Sequence, residues 1–380
     1  MALIALLLSA TAAVSQPRVA AVLTSVAGSV TLGEPVRRAA DRQQVNAGEV
    51  IHVAPEGRAV LLCSTDRWIE IRGPADWALS AAACARGRAV PSGLYDTVAV
   101  EHGHIRFVGA SGAIELDTRG DADPDVPIVL SPRNTTLAEQ RPVVVWTKVP
   151  GAVQYEIEWV GAGMAPLKVA AGEAACGAGT GVWRGEKICS LPFPADRLLP
   201  SGPLPLFLHI GARLALAAPL RSEQQGVKVV IANDAARDAL RERLAAIEAL
   251  PADALTRQLL IAGTYASRGF TSDALKLYDS ALAQKDDSVV RVTLADIAAS
   301  SGLYAVADRE YRHVVEAMGD PEAQATAEAG LGRVAFALHL YSAARDHFDQ
   351  ASRMYAAIGL AVAADAARTN AERAAGRIPR

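Results

Sequence analysis

Two hydrophobic periods divide the chain. From Arg18 to Asp117 apolar and polar residues alternate in short runs broken by Gly and Pro. Val19–Leu23, Ser29–Leu32, Glu49–Val53, Ala59–Cys63, Trp68–Arg72 and Ile105–Val108 each read as a β-strand bounded by turn residues. Strands so short and so frequent predict an all-β unit over 18–120. The acidic, Pro-containing stretch 121–126 predicts a linker, and a second β unit follows over 127–231. Its expected strands are Val143–Trp146, Tyr155–Trp159, Leu206–Ile210 and Val227–Ile231. Alternation puts Tyr155, Ile157 and Trp159 on one face and Glu156 and Glu158 on the other, and the strand and turn spacing suits a β-sandwich.

After Asn233 the apolar period changes to i, i+3, i+4, Gly and Pro become rare, and Ala, Leu, Arg and Glu dominate. The segment also resembles itself. Gly269-Phe270 with Ala274, Tyr278 and Ala281 aligns with Gly302-Leu303, Ala307, Tyr311 and Val314, and both align with Leu340-Tyr341, Ala344, Phe348 and Ala351. The step is 33 residues from Ala274 to Ala307 and 37 from Ala307 to Ala344. Such steps predict stacked helix–turn–helix units, none of which can bury its apolar face alone. The expected fold class is therefore multidomain: an all-β N-terminal domain, a β-sandwich middle domain and an all-α C-terminal domain of helical repeats over 233–380.

Composition and charge narrow the class of function. A chain of 380 residues, 51% hydrophobic and 21% charged, can build a core in each of two or three domains and is not intrinsically disordered. The formal net charge is −3 and Lys and Arg do not cluster, so nucleic acid is not an expected partner. Met1–Ser15 is an apolar run leading to the small residues Ala13-Val14-Ser15, the form of a secretory signal peptide at 1–15 without its usual positive start; a buried N-terminal strand is the plainer alternative. The run falls short of the roughly 20 apolar residues of a membrane span, and no transmembrane span is expected. The four cysteines fall as two local pairs, Cys63 with Cys84 and Cys176 with Cys189. In an exported chain an even count favours disulfides within each pair, against four buried thiols.

Three family resemblances follow the same divisions. Val26-Ala27-Gly28-Ser29-Val30, then Val45-Asn46-Ala47-Gly48-Glu49-Val50-Ile51, Gly57-Arg58-Ala59-Val60-Leu61-Leu62 and Trp68-Ile69-Glu70-Ile71-Arg72-Gly73-Pro74 resemble, in their order, the FecR-type β domain. Val100-Glu101-His102-Gly103-His104-Ile105-Arg106 resembles its closing strands. That resemblance implies the periplasm, and the expectation of a Gram-negative bacterium rests on it and on an Ala- and Arg-rich, Lys-poor composition typical of GC-rich genomes. The transmembrane helix that precedes this domain in anti-sigma regulators is not found, so a direct anti-sigma role is not expected. The segment from Pro142 to Ile157 is similar to fibronectin type III-like domains, in which residues at the places of Trp146 and Tyr155 fill the core. The helical steps straddle the 34-residue period of tetratricopeptide (TPR) repeats, and Leu255–Ile358 resembles that family. The resemblance implies a partner groove lined by the first helix of each pair: Leu259, Gly263 and Ala266, then Val292, Asp296 and Ala299, then Arg333 and Phe336. Leu259 and Gly263 replace the Lys and Asn of the carboxylate-clamp subtype, so binding of chaperone tails is not implied.

Candidate chemistry is sparse. The sequence has no GxSxG, GxxxxGK[ST] or HExxH motif and no Ser–His–Asp arrangement among its seven histidines. His102 and His104 lie two apart on a predicted strand, but a third metal ligand is not evident. Asp121, Asp123 and Asp125 lack the Gly and closing Glu of a calcium loop. Gly177–Gly181 fits a disulfide-closed loop, not a dinucleotide fingerprint, and Arg119-Gly120-Asp121 and Asn134-Thr135-Thr136 are given no function. The expectation is a non-enzymatic scaffold without cofactor or metal, exported to the periplasm, that binds protein partners through its helical repeats. The alternatives are a FecR-type signal-input protein and a glycan- or peptidoglycan-binding module.

Overall fold

The computed structural model describes residues 20–40, 43–90, 100–101, 104–105, 126–214, 221–222, 226–317 and 319–378. β-structure precedes a C-terminal run of helices, and the chain divides into two compact units, Met1–Tyr95 and Asp96–Arg380. In the first unit the strands are β1 (Ala20–Ala27), β2 (Val30–Leu32), β3 (Arg37–Arg38), β4 (Gln44–Asn46), β5 (Val50–Val53), β6 (Arg58–Cys63), β7 (Arg67–Arg72) and β8 (Ala75–Ala78), then helix α1 (Ala81–Ala85) and β9 (Arg88–Ala89). They form two sheets, in the orders β4-β1-β6-β7-β9 and β3-β2-β5-β8. Leu23, Leu61 and Ile71 of one sheet and Val30, Leu32 and Ile51 of the other share a core. The Gly73 backbone passes so close to the Ala54 carbonyl that a Cβ would lie 1.7 Å from its oxygen, which leaves glycine as the only residue that fits. A disulfide ties Cys63 at the end of β6 to Cys84 in α1.

In the second unit a short hairpin, β10 (Val100–Glu101) and β11 (His104–Ile105), precedes the second β region. The signal peptide expected at 1–15, the acidic residues 121–125 of the expected linker, the Arg119-Gly120-Asp121 tripeptide, His102 and most of the strand expected over Ile105–Val108 lie outside the described residues. The β region itself holds β12 (Val129–Ser131), β13 (Thr135–Leu137), β14 (Val143–Thr147), β15 (Ala152–Val160), β16 (Leu167–Ala170), β17 (Ala175–Ala178), β18 (Lys187–Pro192), β19 (Leu206–Leu214), β20 (Arg221–Ser222) and β21 (Val227–Ile231). One sheet runs β12-β14-β18-β17, the other β13-β21-β19-β15-β16 with β20 against β19. The alternation of β15 buries Tyr155, Ile157 and Trp159. Trp146 of the first sheet meets Tyr155 of the second edge to face, with ring centroids 5.2 Å apart, and the Tyr155 hydroxyl accepts the Val149 N–H at 3.1 Å. Cys176 and Cys189, directly opposed on β17 and β18, form the second disulfide.

The helices are α2 (Asp234–Glu248), α3 (Ala254–Ser267), α4 (Thr271–Gln284), α5 (Ser288–Ser300), α6 (Tyr304–Glu316), α7 (Pro321–Ala337), α8 (Tyr341–Ala357) and α9 (Ala361–Ala375). They start in two ways. Asn233, Asp253, Asp287 and Asp320 cap α2, α3, α5 and α7, each side chain accepting a first-turn N–H. By contrast α4, α6, α8 and α9 follow tight turns whose left-handed residue is Gly269, Gly302, His339 or Gly359. At these turns the next residue's N–H reaches back to close the preceding helix: Phe270 to Tyr265, Leu303 to Ala298, Leu340 to Ala335 and Leu360 to Tyr355, at 2.8–2.9 Å. The third turn therefore aligns as His339-Leu340, one residue earlier than the Leu340-Tyr341 read from the sequence, and a histidine takes the left-handed position that glycine holds in the other three. Gly330 and Gly332 of α7 leave room for the rings of Tyr311 and Phe348, each of which would meet a Cβ at under 3 Å.

The boundary expected near Asn233 is not a division between compact units, because the β region is sewn onto the helices. Leu130 and Val182 lie in the same buried cluster as Tyr278, Ala295 and Tyr311, with Ile128, Trp183 and Ile188 packed against it. The loop from Arg133 to Thr136 satisfies the open carbonyls of two tight turns. Arg133 Nε and Asn134 Nδ2 donate to Ser301 O at 2.9 and 3.1 Å, and the Thr136 N–H donates to Gly269 O at 2.8 Å. The disulfide-closed, glycine-rich loop is a second attachment. Arg309 of α6 donates to the carbonyls of Val182 and Arg184 at 2.9 and 2.8 Å, and Arg184 pairs with Asp279 of α4.

Candidate partner-binding groove

With α4 and α6 turned to the β region, α5, α7 and α9 line a groove of 840 Å³. Val289, Val292, Thr293 and Asp296 come from α5, Glu322, Thr326, Ala329 and Arg333 from α7, and Val362, Ala363, Ala366 and Asn370 from α9. The spacing of α5 and α7 lining residues by three or four puts them on one stripe of each helix. The wall contributed by α9 is open to solvent: Val362 is 87% exposed. Ala325 and Ala329 of α7 and Ala364 and Ala367 of α9 belong to one buried cluster with Ala351 and Tyr355 of α8, which joins the two walls.

The floor is polar and ordered. Arg333 Nη2 donates to Asp296 Oδ1 at 2.6 Å and to the Tyr311 hydroxyl at 3.2 Å, while that hydroxyl donates to the same Asp296 oxygen. Burial pushes the Tyr311 hydroxyl well above the ordinary tyrosine range, and the Asp296 charge adds to this. For Arg333 burial opposes the charge, but Tyr311 and Asp296 outweigh it and hold the guanidinium protonated. Tyr355 donates to Thr326 Oγ1 at 3.0 Å and braces the α7 wall. Below the groove, against the β region, Glu310 is 1% exposed and pairs with Arg291 and Arg309, with Arg184 at 3.9 Å. Burial raises its carboxyl pKa, but the arginines prevail and the net displacement is downward.

Of the eight residues expected in the groove, Val292, Asp296 and Arg333 line it. The other five do not line it. Leu259 is 2% exposed and belongs to the cluster that holds Tyr278 and Ala295, so its side chain is used in helix–helix contact. Gly263 and Ala299 are likewise buried, and Ala266 packs half-buried against that cluster. Phe336 lies beneath Arg373, 5.1 Å from the guanidinium carbon, and edge to face with Tyr341. The sequence reads Leu360–Ala375 as a flanking or capping helix, with a groove filled by the last helix as the alternative; α9 instead forms one wall of the groove, and Leu360 and Ala364 repeat the spacing of Leu303 and Ala307.

Other sequence features resolve into structure. Asn134 spends its amide nitrogen on Ser301 and its amide oxygen on the Lys228 N–H, which makes the Asn134-Thr135-Thr136 tripeptide part of the seam. Among the described residues no three His, Cys, Asp or Glu side chains stand close enough to hold a metal ion, and no helix is long and apolar enough to cross a membrane. No family model matches the chain, and no curated protein matches it.

Proposed function

We propose that the chain is an exported, non-enzymatic adaptor that holds an extended segment of a protein partner in the groove of α5, α7 and α9. The observation that carries this reading is the division of labour among the helices. The chain's own β region covers α4 and α6, and β11 also meets α5, while the lining stripes of α5, α7 and α9 frame an 840 Å³ groove with a polar floor and an exposed apolar rim. Clefts of this size hold ligands, and a groove between helices is a recurrent place for a peptide. On this reading the helices act as TPR-like repeats, the second β region is a fibronectin type III-like sandwich that stiffens them, and the first unit is a FecR-like module. Two disulfides support an oxidising compartment, and the FecR resemblance makes that compartment the periplasm. Scaffolding is the mechanism: a site on a stiff body raises the local concentration of what it holds.

The test is a photocrosslinking residue at Ala366, exposed in the groove, with Glu158 on the exposed face of β15 as the control position. In the native host, crosslinks to one partner segment are expected at Ala366 alone and should vanish when Val362→Glu charges the rim. Equal capture at both positions, or capture unaffected by Val362→Glu, places the function elsewhere.

A further inference from the structure

The floor of the groove holds two opposite charges that are only half used. Asp296 and Arg333 are 46% and 41% exposed in their side chains, and they meet through a single carboxylate oxygen and a single guanidinium nitrogen. Among the described residues Asp296 Oδ2 accepts nothing, and Arg333 Nε and Nη1 donate to nothing. One acceptor and a set of donors thus stand side by side, already fixed by Tyr311, and both line the cavity. A lone carboxylate would pair with Arg333 but meet the charge of Asp296; a lone ammonium would pair with Asp296 but meet Arg333. A neutral group with a donor and an acceptor on the same side satisfies both. In extended chain the N–H and C=O of a single residue have that arrangement, since both point to one edge of the strand.

We propose that Asp296 and Arg333 form a main-chain clamp that grips one residue of an extended polypeptide. Its carbonyl accepts from the free N–H edge of Arg333, and its N–H donates to Asp296 Oδ2. The clamp reads backbone, so selectivity falls to the apolar rim at Val362 and to the acidic Glu322. It favours interior segments over chain ends. This inference rests on the groove being the partner site.

Three labelled hexapeptide pools of random sequence test it by fluorescence polarisation against the full chain: one with both ends blocked, one with blocked ends and N-methylated backbone amides, and one with a free C-terminal carboxylate. The blocked pool and the free-acid pool should bind alike, and backbone methylation should weaken binding by at least about tenfold, the worth of a hydrogen bond to a charged group. Arg333→Met should produce a similar loss, and its melting temperature reports whether the Tyr311 contact has been disturbed. The methylated pool needs no change to the protein and so decides the matter if that variant fails to fold. Tighter binding of the free-acid pool makes Arg333 a carboxylate receptor and overturns the clamp, as does undiminished binding of the methylated pool. In both cases the groove reading stands. If no pool binds and Ala366 captures no partner, the groove reading falls and takes the clamp with it.

Discussion

Arg133 Nε donates to the main-chain carbonyl of Ser301 at 2.9 Å, across 168 residues of sequence. The side chain is 3% exposed, and its Nη1 also donates to Val129 O at 3.0 Å. A helix end normally leaves its last carbonyls to water or a cap. Here an arginine from the β region closes the end of α5, so the fold of the repeats includes residues well outside them.

That contact predicts unequal costs for two equivalent glycines. Gly302 and Gly359 both sit at positive φ, 78° and 80°, and an alanine at either costs about 1–2 kcal/mol for the left-handed backbone. A Cβ at Gly302 would in addition meet the Arg133 guanidinium at 3.2 Å, whereas one at Gly359 meets nothing within 4 Å. Gly302→Ala should therefore lower the urea midpoint clearly more than Gly359→Ala. Equal effects would mean that Arg133 is not seated against that turn.

Deletion of 233–380 tests the seam. Reading the sequence as three separate domains, one expects both β domains to survive the cut. The structure predicts otherwise for the second. Without the helices Leu130 and Val182 lose the cluster that buries them, and Ile128, Trp183 and Ile188 lose the surface they pack on. The first unit should stay resistant to limited proteolysis while 126–231 becomes sensitive, most of all around Val182. Retained protection there would show that the β region folds without the repeats.

The two disulfides should part under mild reduction. Cys63 and Cys84 are fully buried, whereas Cys176 is half-buried on β17, an edge strand. Thiol–disulfide exchange needs access to a sulfur, so alkylation after brief dithiothreitol treatment should label Cys176 and Cys189 first. The second bridge spans 13 residues, and loops of that size contribute about 3 kcal/mol. Its loss should loosen the loop held by Arg309 and raise hydrogen exchange there before elsewhere.

Legibility followed the range of the interactions. Alternation in β15 and the 33-residue step between Ala274 and Ala307 are local signals, and the strands and helix pairs they predict are present. The cysteine pairs were legible because each cysteine's partner is its nearest in sequence, 21 and 13 residues away. The groove was only partly so. Equivalent repeat positions imply equivalent exposure, but Leu259 faces the neighbouring pair and Phe336 is covered by Arg373 of the last helix. The seam was not legible at all, since Arg133, Asn134 and Thr136 act on main-chain carbonyls, which every residue carries and no side-chain pattern marks.

The charge cluster at the seam makes stability depend on pH. Glu310 is buried among Arg184, Arg291 and Arg309. Burial disfavours its charged form, but the arginines more than offset this, and its carboxyl is displaced below the ordinary glutamate range. A carboxyl whose folded value lies below its unfolded one stabilises the fold fully above the unfolded value, and the contribution drains away as pH falls through the folded value. Acid should therefore weaken the second unit through this group, and Glu310→Gln should remove that part of the slope. The variant should also destabilise at neutral pH, by less than the roughly 3–5 kcal/mol of a wholly orphaned buried charge, because Arg291 loses Glu310 and keeps only the more exposed Asp286 as a partner. Urea unfolding from neutral pH down into the carboxyl range, followed by Trp fluorescence, reads both effects. Wild type and variant should converge as the pH falls, and parallel curves would mean that Glu310 is not held ionised by its arginines.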